Sequence, residues 1–321
     1  MRRIELIFEG SEKKLEISFH QQLDLLSVEE TVWESIVSKA NATILSKCEN
    51  DTMKAYLLSE SSLFVWKNKL LLITCGQTSL ICTVEEIARQ FGQENISLLI
   101  YQRKNEYFSH LQPTSFFDDV KTLSNKFDGE AFRFGEMDEH HHFIFHTTSN
   151  YTPDTNDKTN ELLLYGLSKE VSKTLTDSNL SALEIREYLN LDKILIDFII
   201  DDFKFEPYGY SVNAIKEDKY FTIHITPQED SSYISFETNI DLQDHIEALI
   251  SKLKPSSYDF ITFTPLGNNN DLEVKQVQLN GPIEFRKNVY KNLSCGYQMS
   301  VDSIYVNSKK NNQPRIISME N

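Results

Sequence analysis

The sequence predicts an α+β fold in which strands dominate and a few helices interrupt them. Three observations carry that reading. Most of the chain alternates or clusters apolar residues in runs of strand length, only a few segments show helical spacing, and the order strands, helix, strands recurs in both halves.

Taken in order, residues 4–8 and 14–19 read as strands around a turn at Glu9-Gly10-Ser11. Ser27 followed by Glu30 has the spacing of a capping box, and Val28, Val32, Ile36 and Ala40 recur every four residues, so 28–40 is expected to be a helix. Strands are expected at 55–65 and 69–75, then a helix over 83–91 that stops at Gly92. Further strands are expected at 97–103, 131–135, 142–148, 160–166, 195–205, 209–215, 219–226, 232–238, 259–265 and 272–278, with helices at 181–190 and at 241–253 before Pro255. Ser61–Gly76 and Ser211–Pro227 each carry strand, Lys-rich turn and strand, a weak internal repeat. The polar stretch 149–158 is the natural boundary between halves 1–150 and 159–321.

The chain of 321 residues has 32 Lys plus Arg against 48 Asp plus Glu, a formal charge of −16. That balance repels phosphate backbones, which argues against nucleic acid, and attracts cationic ligands. Four cysteines, Cys48, Cys75, Cys82 and Cys295, give neither a disulfide framework nor a Cys-x-x-Cys pair. The N-terminus lacks a signal-peptide core and no apolar run approaches membrane length, so a soluble, cytoplasmic protein is expected, with no membrane partner.

Chemistry concentrates at Tyr56-Leu-Leu-Ser-Glu-Ser-Ser-Leu-Phe-Val65, a run that reads first as a serine-rich strand. A serine hydroxyl held against the preceding carbonyl can also shift the acyl group from nitrogen to oxygen. At Glu60-Ser61, elimination of the resulting ester would leave a pyruvoyl terminus. Along 221–226, Phe221, Ile223 and Ile225 share one face and Thr222, His224 and Thr226 the other, which puts His224 on a polar face. His140-His141-His142 is expected to be an exposed hairpin end and no metal site, because three consecutive residues cannot converge on one ion. Gly267–Asn270 and Lys309–Gln313 read as solvated loops, and no phosphate-binding glycine loop is present.

The run Leu58-Ser-Glu-Ser-Ser62 resembles the processing site of the eukaryotic S-adenosylmethionine decarboxylases, and other segments resemble that family in the same order: Phe8-Glu-Gly-Ser-Glu-Lys13, Thr74-Cys-Gly76, Gly209-Tyr-Ser-Val-Asn213, Thr222-Ile-His-Ile-Thr-Pro227 and Ser232-Tyr-Ile-Ser-Phe-Glu-Thr-Asn239. The resemblance spans residues 8–239. It implies a single domain folded as a four-layer α/β/β/α sandwich of two mainly antiparallel sheets, with helices outside and two duplicated halves. It also implies self-cleavage at Glu60-Ser61 into a β chain, 1–60, and an α chain, 61–321, that stay associated.

The resemblance further implies site residues. Ser61 becomes the pyruvoyl, which forms a Schiff base with S-adenosyl-L-methionine; no metal and no pyridoxal phosphate are needed. Ser211 bonds the processing intermediate and His224 moves protons. Cys75 donates the proton to the α-carbon, although a buried cysteine is more often inert. Glu9 and Glu12 belong to the site, Phe8 and Phe205 stack adenine, and Glu60 contacts substrate. Gln228 stands where the family places a glutamate for the ribose hydroxyls, which predicts weaker binding. Glu16, Asp157, Thr159, Glu161 and Glu237 match a putrescine site of some members, while Ile73 stands where those members have a lysine. A homodimer is possible in the family. The product would be decarboxylated S-adenosylmethionine, the aminopropyl donor for spermidine and spermine. The alternative is a catalytically weak paralogue that regulates an active subunit, favoured by Gln228 alone.

Overall fold

The computed structural model describes residues 12–20, 23–104, 106, 109–148, 151–227, 232–266 and 285–306. Phe8, Glu9 and Gln228, the strands expected at 4–8 and 272–278, and both solvated loops lie outside the described residues.

Among the described residues sixteen strands form two eight-stranded sheets. The first holds β1 (Lys13–Phe19), β2 (Ile44–Glu49), β3 (Met53–Leu58), β4 (Ser61–Trp66), β5 (Lys69–Thr74), β6 (Ile96–Lys104), β7 (Gly129–Gly135) and β8 (His141–Thr147). The second holds β9 (Thr159–Tyr165), β10 (Ile199–Lys204), β11 (Tyr210–Lys216), β12 (Lys219–Thr226), β13 (Tyr233–Thr238), β14 (Ser257–Pro265), β15 (Phe285–Asn292) and β16 (Tyr297–Tyr305). Their orders are β2-β3-β4-β5-β1-β6-β8-β7 and β10-β11-β12-β13-β9-β14-β16-β15. Adding eight to each label of the first sheet yields the second, so the halves share one topology. Hence the β4–β5 hairpin corresponds to β12–β13, and the repeat read between Ser61–Gly76 and Ser211–Pro227 is out of register by one strand. Lys-rich turns occur at both places, and local likeness misled the alignment.

Each sheet turns one face to helices and the other to its partner sheet. Trp33, Ile36 and Val37 of α1 (Glu30–Lys39), Leu80, Val84 and Ile87 of α2 (Leu80–Phe91) and Phe116 and Leu123 of α3 (Phe116–Ser124) pack on Leu15, Ile17, Leu63, Val65, Leu70 and Leu72. On the second sheet, Val171 of α4 (Lys169–Leu175), Ile185 of α5 (Ala182–Tyr188) and Ile246 and Leu249 of α6 (Gln243–Leu253) cover Phe221, Ile223 and Ile225. Burying each such side chain contributes about 1.5–3 kcal/mol, so the helix-facing strand positions fix the register. Between the sheets, Ile100, Ile144, Leu163 and Ile261 pack at one end, and Phe64, Leu71, Ile73 and Tyr220 at another. Apart from these two apolar clusters, the interlayer holds buried polar and charged side chains such as Glu12, Lys14, Lys104, Glu161, Asn213 and His224.

Several sequence expectations are corrected. The box at Ser27 and Glu30 does not form: Leu25–Ser27 is a 3-10 turn capped by Asp24, the Ser27 hydroxyl donates to the Asp24 carbonyl at 2.7 Å, and α1 starts at Glu30 behind Glu29. Residues 55–65 are two strands, with the break at Ser59-Glu60. Missed elements include α3, which has a true capping box of Ser115 and Asp118, and α4. Strands β2, β15 and β16 were missed as well. Edge strands β2 and β15 are half exposed and polar, so alternation is faint there.

Candidate active site

The hairpin between β3 and β4 has two turn residues, Ser59 and Glu60, with Leu58 paired to Ser61. In a regular strand Ser61 would point with Leu63 and Val65 into the helix layer. Instead it adopts φ 140°, a region L-residues rarely occupy and one that stores strain. Its hydroxyl thereby reaches across to the second sheet, and Ser61 Oγ lies 2.9 Å from His224 Nε2. The neighbouring Glu60 carbonyl accepts from the Cys75 backbone N–H at 3.0 Å and from Cys75 Sγ at 3.4 Å. A serine hydroxyl, an imidazole and two hydrogen-bond donors converge on one peptide bond.

Strand β12 positions His224 as its alternation predicts: its odd residues face the helices and its even ones face the first sheet. Burial, and secondarily the Lys104 ammonium, push the imidazole down to about 3, so it is a neutral base at working pH. Ser211, its cross-strand partner, lies 3.0 Å from Nδ1. With the Ser61 hydroxyl donating to Nε2, the Nδ1 hydrogen goes to Ser211. Ser211, expected on the intermediate, is therefore described on the far side of the imidazole, while Cys75 supplies the donors to the carbonyl. The Cys75 thiol is buried, and burial followed by the Glu60 and Glu12 carboxyls pushes it well up, so it keeps its proton. Lys13 Nζ donates to the Gly76 carbonyl at 2.9 Å and holds this loop to β1.

Glu12 sits between the sheets, where Ser235 donates to it and Lys104 Nζ lies 3.4 Å away. Burial raises its pKa. From there an ionic chain runs through the interlayer. Lys104 reaches Glu161 at 2.6 Å, and Lys14 reaches Glu161 at 2.9 Å and Glu237 at 2.7 Å. Tyr220 donates to Glu237 at 2.9 Å. Against the upward push of burial, Lys104 and Lys14 hold the Glu161 carboxyl down at about 2, whereas burial wins at Glu237 and raises it. Beyond, Lys69 bridges Glu16 at 2.8 Å and Asp157 at 3.0 Å, and Tyr297 donates to Asp157 at 2.6 Å. Thr159 is buried beside Tyr220. All five residues of the expected diamine cluster thus come together.

Sequence reasoning missed the cations Lys14, Lys69 and Lys104. It sought a lysine at Ile73, which instead packs with Phe64 and Leu71. Lys14 was within reach, because it shares the even face of β1 with Glu16. A cavity of about 930 Å³, lined by Trp66, Lys69, Tyr151, Asp157 and Tyr220, opens at this end of the sandwich, away from Ser61.

Phe205 follows β10 and is half-buried, its ring in an edge contact with Phe203 at 4.9 Å. The His140–His142 segment is not an exposed end. His140 Nδ1 lies 2.7 Å and His142 Nε2 3.0 Å from the two oxygens of Asp259, and all three histidines are buried. A carboxylate on β14, remote in sequence, draws in His140 and His142; against the push of burial, these two hold Asp259 well below the usual range. Among the described residues no group of three His, Cys, Asp or Glu has the geometry to hold a metal ion. Nor is any described helix long and apolar enough to cross a membrane.

The two-sheet sandwich brings a serine at positive φ against a buried histidine between its layers, a pairing of the kind enzymes use. The family model for adenosylmethionine decarboxylase matches residues 5–305. S-adenosylmethionine decarboxylase proenzymes of Leishmania donovani and Xenopus laevis are each 32% identical, covering 80% and 78% of this chain and 73% and 81% of theirs. The crystal structure of a Trypanosoma brucei AdoMetDC-delta26 monomer shares the fold, with TM-score 0.56 and 24% identity over 77% of this chain and 99% of that one. The chain belongs to the adenosylmethionine decarboxylase family.

Proposed function

We propose that the chain cuts its own Glu60-Ser61 bond and then decarboxylates S-adenosyl-L-methionine, releasing carbon dioxide and the aminopropyl donor used to make spermidine and spermine. One observation carries this reading: the strained Ser61 hydroxyl faces a neutral imidazole while the Glu60 carbonyl sits against two donors of Cys75. Ser61 Oγ attacks the Glu60 carbonyl carbon as its proton passes to His224 Nε2. The Cys75 N–H and thiol hold the developing oxyanion, an interaction of about 3 kcal/mol for one good donor. The C–N bond then breaks as the Ser61 nitrogen takes a proton, leaving an ester and relieving the strain at φ 140°. Removal of the Ser61 α-proton expels the Glu60 carboxylate. The dehydroalanine left behind tautomerises and hydrolyses to a pyruvoyl terminus and ammonia.

The pyruvoyl group supplies a carbonyl electron sink that side chains lack. Around it, the Cys75 thiol keeps a proton for the substrate α-carbon, and Phe205 offers a ring face to adenine and to the sulfonium. Phe8, Glu9 and Gln228 are assigned to the same site by motif. After cleavage, Glu12, Lys14 and Glu16 of the β chain remain paired with Lys104, Glu161, Glu237 and Lys69 of the α chain, which keeps the fragments together. The retained Ser61, Cys75, Ser211 and His224 favour an active enzyme over a regulatory paralogue.

The lysines also bear on putrescine. Lys14 pairs with Glu161 and Glu237, Lys104 with Glu161 and Glu12, and Lys69 with Glu16 and Asp157. Cations of the chain itself thus already stand among these carboxylates, which lowers the need for a diamine. Intact-mass analysis and denaturing electrophoresis, followed by carbon dioxide release, test the proposal. Fragments 1–60 and 61–321 with turnover support it, and one persistent band without turnover refutes it.

A further inference from the structure

His224 is crowded by hydroxyls. Its Nε2 has Ser61 Oγ at 2.9 Å, Thr222 Oγ1 at 3.1 Å and Ser62 Oγ at 3.4 Å. A neutral ring nitrogen that accepts offers a single lone pair, so three hydroxyls compete for one position. Only a bond from Ser61 is productive, because only that proton must leave for Ser61 Oγ to attack. Ser62 and Thr222 are 0% and 1% exposed, so bulk solvent does not reach these competitors.

Asn213 resolves the competition. It is fully buried on β11, directly across from Thr222, two positions along the ladder from the Ser211–His224 pair and on the same face. Its Oδ1 lies 2.6 Å from Ser62 Oγ and 3.1 Å from Thr222 Oγ1. A carboxamide oxygen has two lone pairs and accepts from both. Each hydroxyl has one hydrogen, and a hydrogen given to Asn213 is withdrawn from His224. Among the described residues the Asn213 Nδ2 has no hydrogen-bond partner, and the oxygen makes the amide's contacts there.

We infer that Asn213 is a positioning residue for self-cleavage: by accepting the hydroxyl hydrogens of Ser62 and Thr222 it reserves His224 Nε2 for Ser61. This rests on the self-cleavage reading, and a wild-type chain that never cleaves removes both.

The test is a time course of cleavage, on denaturing gels, of freshly synthesised full-length precursor. Asn213→Ala is expected to slow cleavage about tenfold, the scale of one redistributed hydrogen bond. In a Ser62→Ala/Thr222→Val background the same change is expected to cost less than about twofold, since the competitors are gone. Asn213→Asp keeps both acceptor positions and is expected to cleave within about threefold of wild type at pH 8. Its added carboxylate raises the imidazole pKa, so its rate falls at pH 5 more than that of wild type. The inference is overturned if Asn213→Ala cleaves at the wild-type rate, if its cost is equal in both backgrounds, or if Asn213→Asp is as slow as Asn213→Ala at pH 8. Thermal melts establish that each variant folds, and Asn213→Asp alone decides the matter if Asn213→Ala does not.

Discussion

The two halves place the same hairpin to different ends. Between β11 and β12, Lys216 pairs with Lys219, and the positive φ falls on Glu217, inside the turn, at 53°. A two-residue hairpin wants it there. Between β3 and β4 the pairing is equivalent, Leu58 with Ser61, yet the positive φ is displaced past the turn onto Ser61 itself. One half relaxes its turn and supplies the histidine. Its twin keeps the strain, and that strain swings a hydroxyl from the helix layer into the interlayer. A duplicated topology thus becomes an asymmetric site once the left-handed residue moves by a position or two.

The largest expected effect breaks the receiving side of that asymmetry. His224→Ala should slow cleavage by about 10²–10⁴-fold, the usual contribution of a positioned base, as read from precursor remaining on a gel. The wild-type pH profile sharpens the point. With the folded imidazole at about 3 against an ordinary 6.5, the base stays neutral and cleavage should show no loss as pH falls from 8 to 5. By the same sign, His224 contributes stability that is present above pH 6.5 and lost as pH falls toward 3, because the unfolded chain takes up the proton first.

Transplanting the relaxed turn comes next. Ser59→Asn with Glu60→Gly puts residues that favour positive φ into the turn and frees Ser61 to return to the helix side. Strain of about 1–3 kcal/mol corresponds to cleavage slower by roughly 5- to 150-fold, measured by the same time course. Cys75→Ala removes one of two donors to the Glu60 carbonyl but keeps the backbone N–H, so cleavage should slow only about tenfold. Decarboxylation by the processed fraction, followed as carbon dioxide release, should fall much further. Smallest of all is the response to putrescine, expected to change either rate by less than about twofold because Lys14, Lys69 and Lys104 already pair with the carboxylates of the cluster.

Much of this was legible in the sequence. The face of His224 follows from period-two alternation, and the motifs around Ser61, Cys75 and Ser211 marked residues that the fold brings together. The Ser59-Glu60 break was not legible, because a tight turn without glycine or proline is hidden inside a run of strand formers. The lysines were missed for a different reason: their partners lie on the other sheet, and pattern along one strand says nothing about pairing across layers. His140–His142 failed likewise, since Asp259 lies far along the chain. Polar residues inside a sandwich are exposed-looking in sequence and buried in space.

The central claim is that Ser61 acts on its own peptide bond. Intact-mass measurement of freshly synthesised chain over time tests it most directly. The account predicts loss of the 321-residue species and growth of two fragments, 1–60 with an ordinary carboxyl end and 61–321 with a blocked, keto-bearing terminus in place of serine. An intact chain that persists unchanged, or a 61–321 fragment that begins with an ordinary serine amine, would contradict it.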